Sequence, residues 1–238
     1  MKTQVLIAAA VLFAASVMAA DPKEEVKTAA KKLADAGGYS WHSEVEAGSA
    51  SRMRPGPTDG KVGKDGVAFL KMTRGENTIE AVVKGEKGAI KTDAGWQSLA
   101  EATEASGDQQ GNRSRWIART LQNYQTPAIE AANLAEKVKE LKKDGDAFVG
   151  DLTEDGVKAL LTRGFRGGAN APEPANPKGS VKFWMKNGVL AKYEYKVQAT
   201  MNWNNNDITI DRTTTVEIKD VGTTKVEIPE EAAKKLAS

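Results

Sequence analysis

The sequence predicts an α+β fold, in which an antiparallel sheet carries helices packed on one of its faces. From Val189 to Trp203 every second residue is apolar or aromatic and the residues between are nearly all polar, a pattern typical of one long strand with a buried face. The preceding pair, Asn187-Gly188, is typical of a two-residue turn between antiparallel strands. Segments with apolar residues at helical spacing, early and midway in the chain, can cover that buried face.

The first twenty residues are typical of a secretory signal peptide. Residues 1–20 have a lysine at position 2, continue as an apolar run and end in small residues before Asp21. The run is short for a bilayer span, and no basic stop-transfer cluster follows it. We therefore expect cleavage, a periplasmic or extracellular protein, and no membrane span in what remains. The chain has no cysteine, so neither a lipid-attachment cysteine nor a disulfide framework is expected.

The charge balance argues against some classes of partner. The chain has 34 basic and 32 acidic residues, and no block of five like charges. Such a surface is not typical of proteins that bind nucleic acid or anionic membranes. The length after the leader suits one large β-rich domain, which we predict at residues 21–238.

The segment after the leader predicts one helix and then strands. Asp21 and Pro22 are typical of a helix start, and Gly37-Gly38 of its end. A strand is predicted next, with one face formed by Tyr39, Trp41, Ser43, Val45 and Ala47. The Gly- and Pro-rich residues 48–66 predict a turn-rich connection. Three short strands joined by tight turns are predicted next, in GVAFLKMT, TIEAVVK and GAIKT. A short helical turn is predicted in GWQSLAEATEA.

The middle of the chain predicts helices. One contains Trp116, Ile117, Leu121 and Tyr124 at helical spacing, and a second is predicted from Thr126-Pro127 to Lys142-Lys143. A short strand, a small helix capped by Thr153 and a Pro- and Gly-rich surface loop follow. The end of the chain predicts a β-meander and then a short helix from Pro229, with the strands in SVKFWMK, VLAKYEYKVQATMNW, ITIDRTTTVEIK and TTKVEI.

The turn at Asn187-Gly188 also predicts the pairing of its two strands. It sets Trp184 opposite Ala191, so that Trp184 shares the apolar face with Val189 and Tyr193. The following strands continue this face through Ile208, Ile210, Val216, Ile218, Val226 and Ile228. The sequence therefore predicts one apolar face across three strands, opposite the apolar stripes of the helices.

This order of elements, with the segments NGVLAKYEY and TTTVEIKDVGTTKVEIPEEAAKKL, resembles the LolA-like superfamily of exported carriers. That superfamily includes periplasmic lipoprotein carriers and related lipid-binding exported proteins. The resemblance implies a curved, unclosed half-barrel with helices on its concave face, and a hydrophobic ligand held between them. This chain lacks the acylation cysteine of the lipoprotein branches, and Arg52 and Arg54 are the nearest candidates for the carriers' functional arginine. Delivery of lipoproteins as such is therefore not implied.

The sequence contains little that predicts catalysis. It has one histidine, no cysteine, and no GxSxG, HExxH or GxxxxGK motif. His42, Glu44 and Glu46 project to one face of their strand, where a solvated surface is a simpler interpretation than a weak metal or acid–base cluster. RGFRGG follows a helix rather than preceding one, and NWNNNDITID lacks the spacing of a calcium loop. We expect no catalytic residue, no metal site and no cofactor.

The aromatic residues allow two interpretations, a filled core or a partly empty hollow. With the resemblance we favour the hollow, and expect a soluble binding protein that holds a lipid or acyl chain under a helical lid. The alternative is a structural or interaction module of the cell envelope with a filled core, which binds an envelope protein through an edge strand or residues 163–177. The residues predicted to line the hollow are Tyr39, Trp41, Trp116, Leu121, Trp184, Tyr193, Tyr195 and Ile210.

Overall fold

The structure is a computed structural model that describes residues 21–48, 56–105, 109–162, 173–203 and 206–237. The leader, Arg52, Arg54 and residues 163–172 of the surface loop lie outside the described residues. The helices are α1 Pro22–Asp35, α2 Leu99–Glu104, α3 Gln109–Gln122, α4 Pro127–Glu136, α5 Glu154–Thr162 and α6 Glu230–Ala237. The strands are β1 Gly38–Ala47, β2 Thr58–Gly63, β3 Ala68–Arg74, β4 Asn77–Lys84, β5 Lys87–Thr92, β6 Gly95–Ser98, β7 Lys142–Asp144, β8 Ala147–Asp151, β9 Ala175–Lys186, β10 Val189–Trp203 and β11 Asn206–Lys219.

These strands form one antiparallel sheet in the order β6-β5-β4-β3-β2-β1-β11-β10-β9-β8-β7. The first six strands and the last five are each a meander, and the two halves join where β11 pairs with β1. The edge strands β6 and β7 do not pair with each other, so the sheet is unclosed. The predicted α+β fold with a curved antiparallel sheet is confirmed.

The main apolar core lies between one face of the sheet and helices α1 to α5. Local signals place α1: the Asp21 side chain accepts a hydrogen bond from the Lys23 backbone N–H at 3.0 Å, and Pro22 begins the helix. Helix α1 lies on β1, β9 and β10, and α4 lies on α1. Helix α3 lies on α2 and β5. The helices therefore bridge the centre of the sheet instead of all resting on it.

The predicted pairing of Trp184 with Ala191 is wrong, because a β-bulge interrupts the hairpin. Asn187 and Gly188 form the turn with positive φ values of 55° and 73°, as their sequence predicts. Between Leu190 and Lys192 the register shifts by one residue, so Trp184 pairs with Lys192. A shift of one residue exchanges the two faces of a strand. Trp184 therefore lies on the face opposite the core, where the Lys192 ammonium lies 5.3 Å from its ring centroid.

Three other elements differ from their sequence predictions. Helix α4 ends at Glu136 and not near Lys143, because Val138 forms a bridge with Leu152 and the chain then enters β7. Strand β2 forms within the segment predicted as a turn-rich connection. Its three alternating residues Gly60, Val62 and Thr58 pair with the inward residues of β1. The pairing partners on both sides, β1 and β3, override a weak local β-propensity.

The predicted last strand, TTKVEI, is not part of the sheet. Val226 and Ile228 pack in a second apolar cluster with Phe69, Val82 and Trp96, on the face opposite the main core. Helix α6 covers this cluster through Ala232 and Leu236. The C-terminal segment thus covers part of the second face of strands β4 to β6.

Candidate functional site

A cavity of about 840 Å³ lies between the sheet and helices α3, α4 and α5. This volume falls within the range of roughly 300–1,000 Å³ that ligand pockets occupy. The sheet residues that line it belong to β1, β2, β3, β10 and β11, and the helical residues come mainly from α3 and the segment that joins α3 to α4. The lining includes Trp41, Val45, Leu70, Met72, Trp116, Ile117, Leu121, Tyr124, Leu160, Leu161, Tyr193, Tyr195 and Val216.

The alternation of β1 places Trp41, Ser43 and Val45 along one side of this cavity. The Trp41 ring lies against the backbone of Gly60, where a Cβ atom would overlap the indole. The Trp41 ring is also stacked on Tyr124, at a centroid distance of 6.4 Å and an angle of 22°, and lies 6.0 Å from the ring of Tyr39. Trp41 is thus fixed between a glycine of β2 and an aromatic residue after α3, which gives this wall a rigid shape.

Five of the eight predicted lining residues lie on the cavity wall: Trp41, Trp116, Leu121, Tyr193 and Tyr195. Trp41, Tyr193 and Tyr195 come from the sheet, and Trp116 and Leu121 from α3. Trp116 is 45% exposed although it lines the cavity, so the cavity reaches the surface at α3. The tyrosine rings of β10 stack at 6.5 Å and 11°.

The other three predicted lining residues lie elsewhere. Trp184 is on the opposite face because of the bulge. Ile210 is on the inner face but pairs with Ala199, beyond the cavity wall, and packs against the main core. Tyr39 is 1% exposed, and its hydroxyl accepts a hydrogen bond at 3.3 Å from the Ala128 N–H in the first turn of α4. Burial raises the pKa of this phenol above 10.0.

Tyr193 forms the main polar contact in the floor of the cavity. Its hydroxyl donates a hydrogen bond to Glu130 Oε2 of α4 at 2.6 Å, and its side chain is completely buried. Burial, followed by the negative charge of Glu130, raises the pKa of Tyr193 well above 10.0. Tyr193 therefore stays a neutral donor and joins the sheet to α4 at the base of the cavity.

Three arginines on the cavity wall were not predicted from the sequence: Arg74, Arg113 and Arg212. For Arg74 and Arg212, the alternation of apolar residues along their strands indicates an inward position. Arg74 follows Leu70 and Met72 at alternate positions, and Arg212 lies between Ile210 and Val216 on the same alternating face. A charged residue at an inward position of a strand is uncommon, and marks a place where the wall is not plain core.

A second, smaller cavity of about 200 Å³ lies between α4 and α5. It shares Gln125, Glu130 and Leu160 with the large cavity. The Asn133 amide donates a hydrogen bond to Gln125 Oε1 at 3.1 Å beside it. Its position makes it a side pocket of the large cavity.

The described residues offer little for a metal centre. His42 Nδ1 lies 2.8 Å from Asp59 Oδ1 of β2, on the face opposite the cavity. Within the described ranges, no group of three or more His, Cys, Asp or Glu side chains could hold a metal ion. Over the same part of the chain, no helix combines the length and the apolar character needed to cross a membrane.

No model of a known protein family matches the chain, and neither does any curated protein. Among the solved structures that are similar to it are two mycobacterial proteins. LprF from Mycobacterium bovis has a TM-score of 0.46 and 11% identity, over 88% of this chain and 96% of LprF. The Mycobacterium tuberculosis lipoprotein LppX has a TM-score of 0.46 and 12% identity, over 87% of this chain and 97% of LppX. At these TM-scores the similarities carry no conclusion about what this chain binds.

Proposed function

We propose that this protein is an exported binding protein that holds a hydrophobic molecule, of the lipid or acyl-chain class, in the cavity between its curved sheet and its helices. The observation that carries the proposal is the cavity of about 840 Å³, walled largely by aromatic and aliphatic side chains. Removal of an acyl chain from water contributes about 0.8 kcal/mol for each CH₂ group buried. The protein binds and releases this molecule without making or breaking a bond.

The proposed compartment is based on residues 1–20. Residues 1–20 have the composition of a signal peptide, so we propose that the mature protein works in the periplasm or outside the cell. An apolar molecule that crosses an aqueous compartment needs its surface covered, and a cavity that reaches the exterior beside Trp116 allows entry and release. The binding residues proposed are Trp41, Trp116, Leu121, Tyr193 and Tyr195.

The test uses the neutral fluorescent dye N-phenyl-1-naphthylamine, whose emission rises in an apolar site. We expect the wild-type protein to bind the dye and a fatty acid to displace it. Thr214→Phe places a phenyl ring in the cavity, because Thr214 lines it, and is expected to reduce dye binding strongly.

The matched control is Thr215→Phe. Thr215 is the next residue of β11 and pairs with Glu44 and Glu194 on the opposite face of the sheet, so the same ring is added outside the cavity. Circular dichroism of both variants checks that each is folded. Equal dye binding by the two folded variants would place the dye outside this cavity and contradict the proposal.

A second test asks what the protein carries in its own host. Native mass spectrometry of the purified protein, followed by solvent extraction, is expected to release an apolar molecule from the wild type and less of it from Thr214→Phe. Recovery of bare protein only, together with absence of dye binding, would instead favour a structural or interaction module.

A further inference from the structure

The charged side chains that line the cavity are mostly of one sign. They are Arg74, Arg113, Arg212 and Glu130. The described residues provide no carboxylate within an ion-pair distance of any of the three arginines. Glu130 already accepts the hydrogen bond of Tyr193. A largely apolar cavity with an excess of guanidinium groups is therefore suited to a ligand that has both an apolar part and a negative charge.

The sheet register places the arginines of the strands toward one end of the cavity. Across β1 and β11, Trp41 pairs with Ile218, Ser43 with Val216, Val45 with Thr214, and Ala47 with Arg212. On β3, in the same direction, the inner face passes from Leu70, opposite Gly60, through Met72 to Arg74. Trp41 and Leu70 thus lie toward one end of the cavity, and Arg74 and Arg212 lie toward the other.

Arg74 and Arg113 lie together at the surface end. The Arg74 guanidinium carbon is 4.2 Å from the ring centroid of Trp116, and Arg113 precedes Trp116 by three residues on α3. Burial, followed by the positive charge of Arg113, lowers the pKa of Arg74, although an arginine remains charged at neutral pH. Two like charges held side by side are stabilised by an anion between or beside them.

Arg212 lies deeper in the same end. Its Nε atom is buried and has no hydrogen-bond partner among the described residues. A buried donor without a partner is unfavourable, and a charged donor more so. Strand β11 is three strand spacings from β3, roughly 14 Å along the sheet, so side chains from the two strands can reach toward the same end of one ligand.

We propose that the ligand is an amphiphile with an anionic head group, a carboxylate or a phosphate, which Arg212 and the Arg74–Arg113 pair bind while its apolar chain lies toward Trp41 and Leu70. This inference rests on the proposed function and specifies the ligand class for the same cavity. A guanidinium binds carboxylate and phosphate oxygens through paired N–H donors, which supplies both affinity and orientation.

The experiment compares probes that share one chain and differ in the head group. Dodecanoate, dodecyl phosphate, dodecan-1-ol and dodecyltrimethylammonium are titrated below the concentrations at which they aggregate, with displacement of N-phenyl-1-naphthylamine as the readout. The anions are expected to bind about tenfold more tightly than the alcohol, and the cation more weakly than the alcohol. A preference for both anions or for only one of them supports the inference, and tells a phosphate ligand from a carboxylate ligand.

The variants test which residues cause the preference. Arg212→Gln and Arg74→Gln remove the positive charge but keep a polar side chain, and each is expected to lower anion affinity about tenfold, with the alcohol nearly unchanged. Lys61→Gln is the matched control, because Lys61 is an exposed cation on the opposite face of β2 and its loss changes net charge equally. Its preference for anions is expected to equal that of the wild type.

Two outcomes separate this inference from the function on which it rests. Equal binding of the anions and the alcohol, or an equal loss of all probes in the arginine variants, overturns the anionic head group and leaves a neutral hydrophobic ligand. Failure of every probe and of the dye overturns the proposed function and this inference with it.

Discussion

At the scale of single residues, the missing side chain of Gly60 gives Trp41 its place on the cavity wall. The indole lies against the Gly60 backbone, where no Cβ atom could fit, and stacks on Tyr124 from the other side. A glycine in a strand often marks such a close approach, and an aromatic ring laid over it replaces the packing that the glycine lacks. The packing between β1 and β2 therefore depends on Trp41 of β1 and Gly60 of β2.

Gly60→Ala is expected to destabilise the protein and to narrow the cavity. The added methyl group forces the Trp41 ring toward the cavity, and overpacking of this kind costs about 1–3 kcal/mol. Urea unfolding measures the loss, and binding of N-phenyl-1-naphthylamine measures the narrowing. Gly63→Ala on the same strand is the control, since its added Cβ would meet the Asp65 side chain at 3.0 Å, which can move. Equal effects of the two variants would contradict this role of Gly60.

Substitution of Tyr39 tests whether this residue stabilises the fold or contacts the ligand. Its hydroxyl accepts a hydrogen bond from an otherwise unpaired N–H at the start of α4, where the side chain of Thr126 forms no capping hydrogen bond with the helix. Tyr39→Phe is expected to lower the free energy of unfolding by about 1 kcal/mol and to leave dye binding at the wild-type level. Urea unfolding and dye titration measure the two quantities. A loss of dye affinity without a loss of stability would show that Tyr39 contacts the ligand.

Single residues also show how far the sequence predicts the site. The alternation of β1 and β10 and the helical spacing around Trp116 predict five aromatic and aliphatic residues that lie on the cavity wall in the structure. Trp184 is misplaced because a bulge depends on the fit between two strands, which alternation in one strand does not contain. The arginines were not predicted because charged residues are ordinarily solvated, although alternation along their strands puts Arg74 and Arg212 on the inner face.

At the scale of elements, the outer face of the sheet is joined by ion pairs between neighbouring strands. Glu80 of β4 lies between two lysines, with Lys91 of β5 at 3.1 Å and Lys71 of β3 at 3.4 Å. Its side chain is only 23% exposed. The hydrogen bond with Lys91 is the main cause that lowers the pKa of Glu80 below 4.5, opposed in part by burial.

A lowered pKa in the folded state means that ionised Glu80 stabilises the fold above its ordinary pKa of 4.5, and that this contribution is lost as the pH falls through the lowered value. Glu80→Gln is therefore expected to be less stable than the wild type at pH 7, by about 0.2–1 kcal/mol after solvent screening, and this difference is expected to shrink at pH 3. Urea unfolding at both pH values tests this. Glu86→Gln, which removes an exposed carboxylate in the turn after β4, is the control.

The elements that the sequence predicts well are those with strong local signals. Helix α1 has its cap, its proline and its apolar stripe in the right order, and the hairpin turn forms at Asn187-Gly188. Strand β2 and the end of α4 are set by pairing with other segments, β1 and the end of β8, so their own residues do not predict them. TTKVEI has the alternation of a strand but packs outside the sheet under α6, where Val226 and Ile228 join the second apolar cluster.

At the scale of the whole molecule, the cavity follows from how the helices are supported. Helix α1 rests on β1, β9 and β10 and carries α4, while α3 rests on α2 and β5 near the other end of the sheet. The helical layer thus contacts the sheet mainly on either side of the cavity, and it spans the central part of the sheet, where β1 pairs with β11. An apolar chain placed there would be buried from both sides, and its affinity should grow with the length buried.

This growth gives a prediction for a series of fatty acids. Each step from octanoate to decanoate to dodecanoate adds two CH₂ groups, which contribute about 1.6 kcal/mol if buried. A ligand in excess over its Kd raises the free energy of unfolding by nearly its whole gain in binding, so at one fixed concentration we expect Tm to rise by roughly 3–6 °C at each step. Differential scanning calorimetry measures the series, with Thr215→Phe following the wild type and Thr214→Phe showing a smaller rise, because its phenyl ring occupies part of the cavity. A Tm rise that is the same for all three acids would mean that the charge alone is bound at the surface and that the chain stays in water.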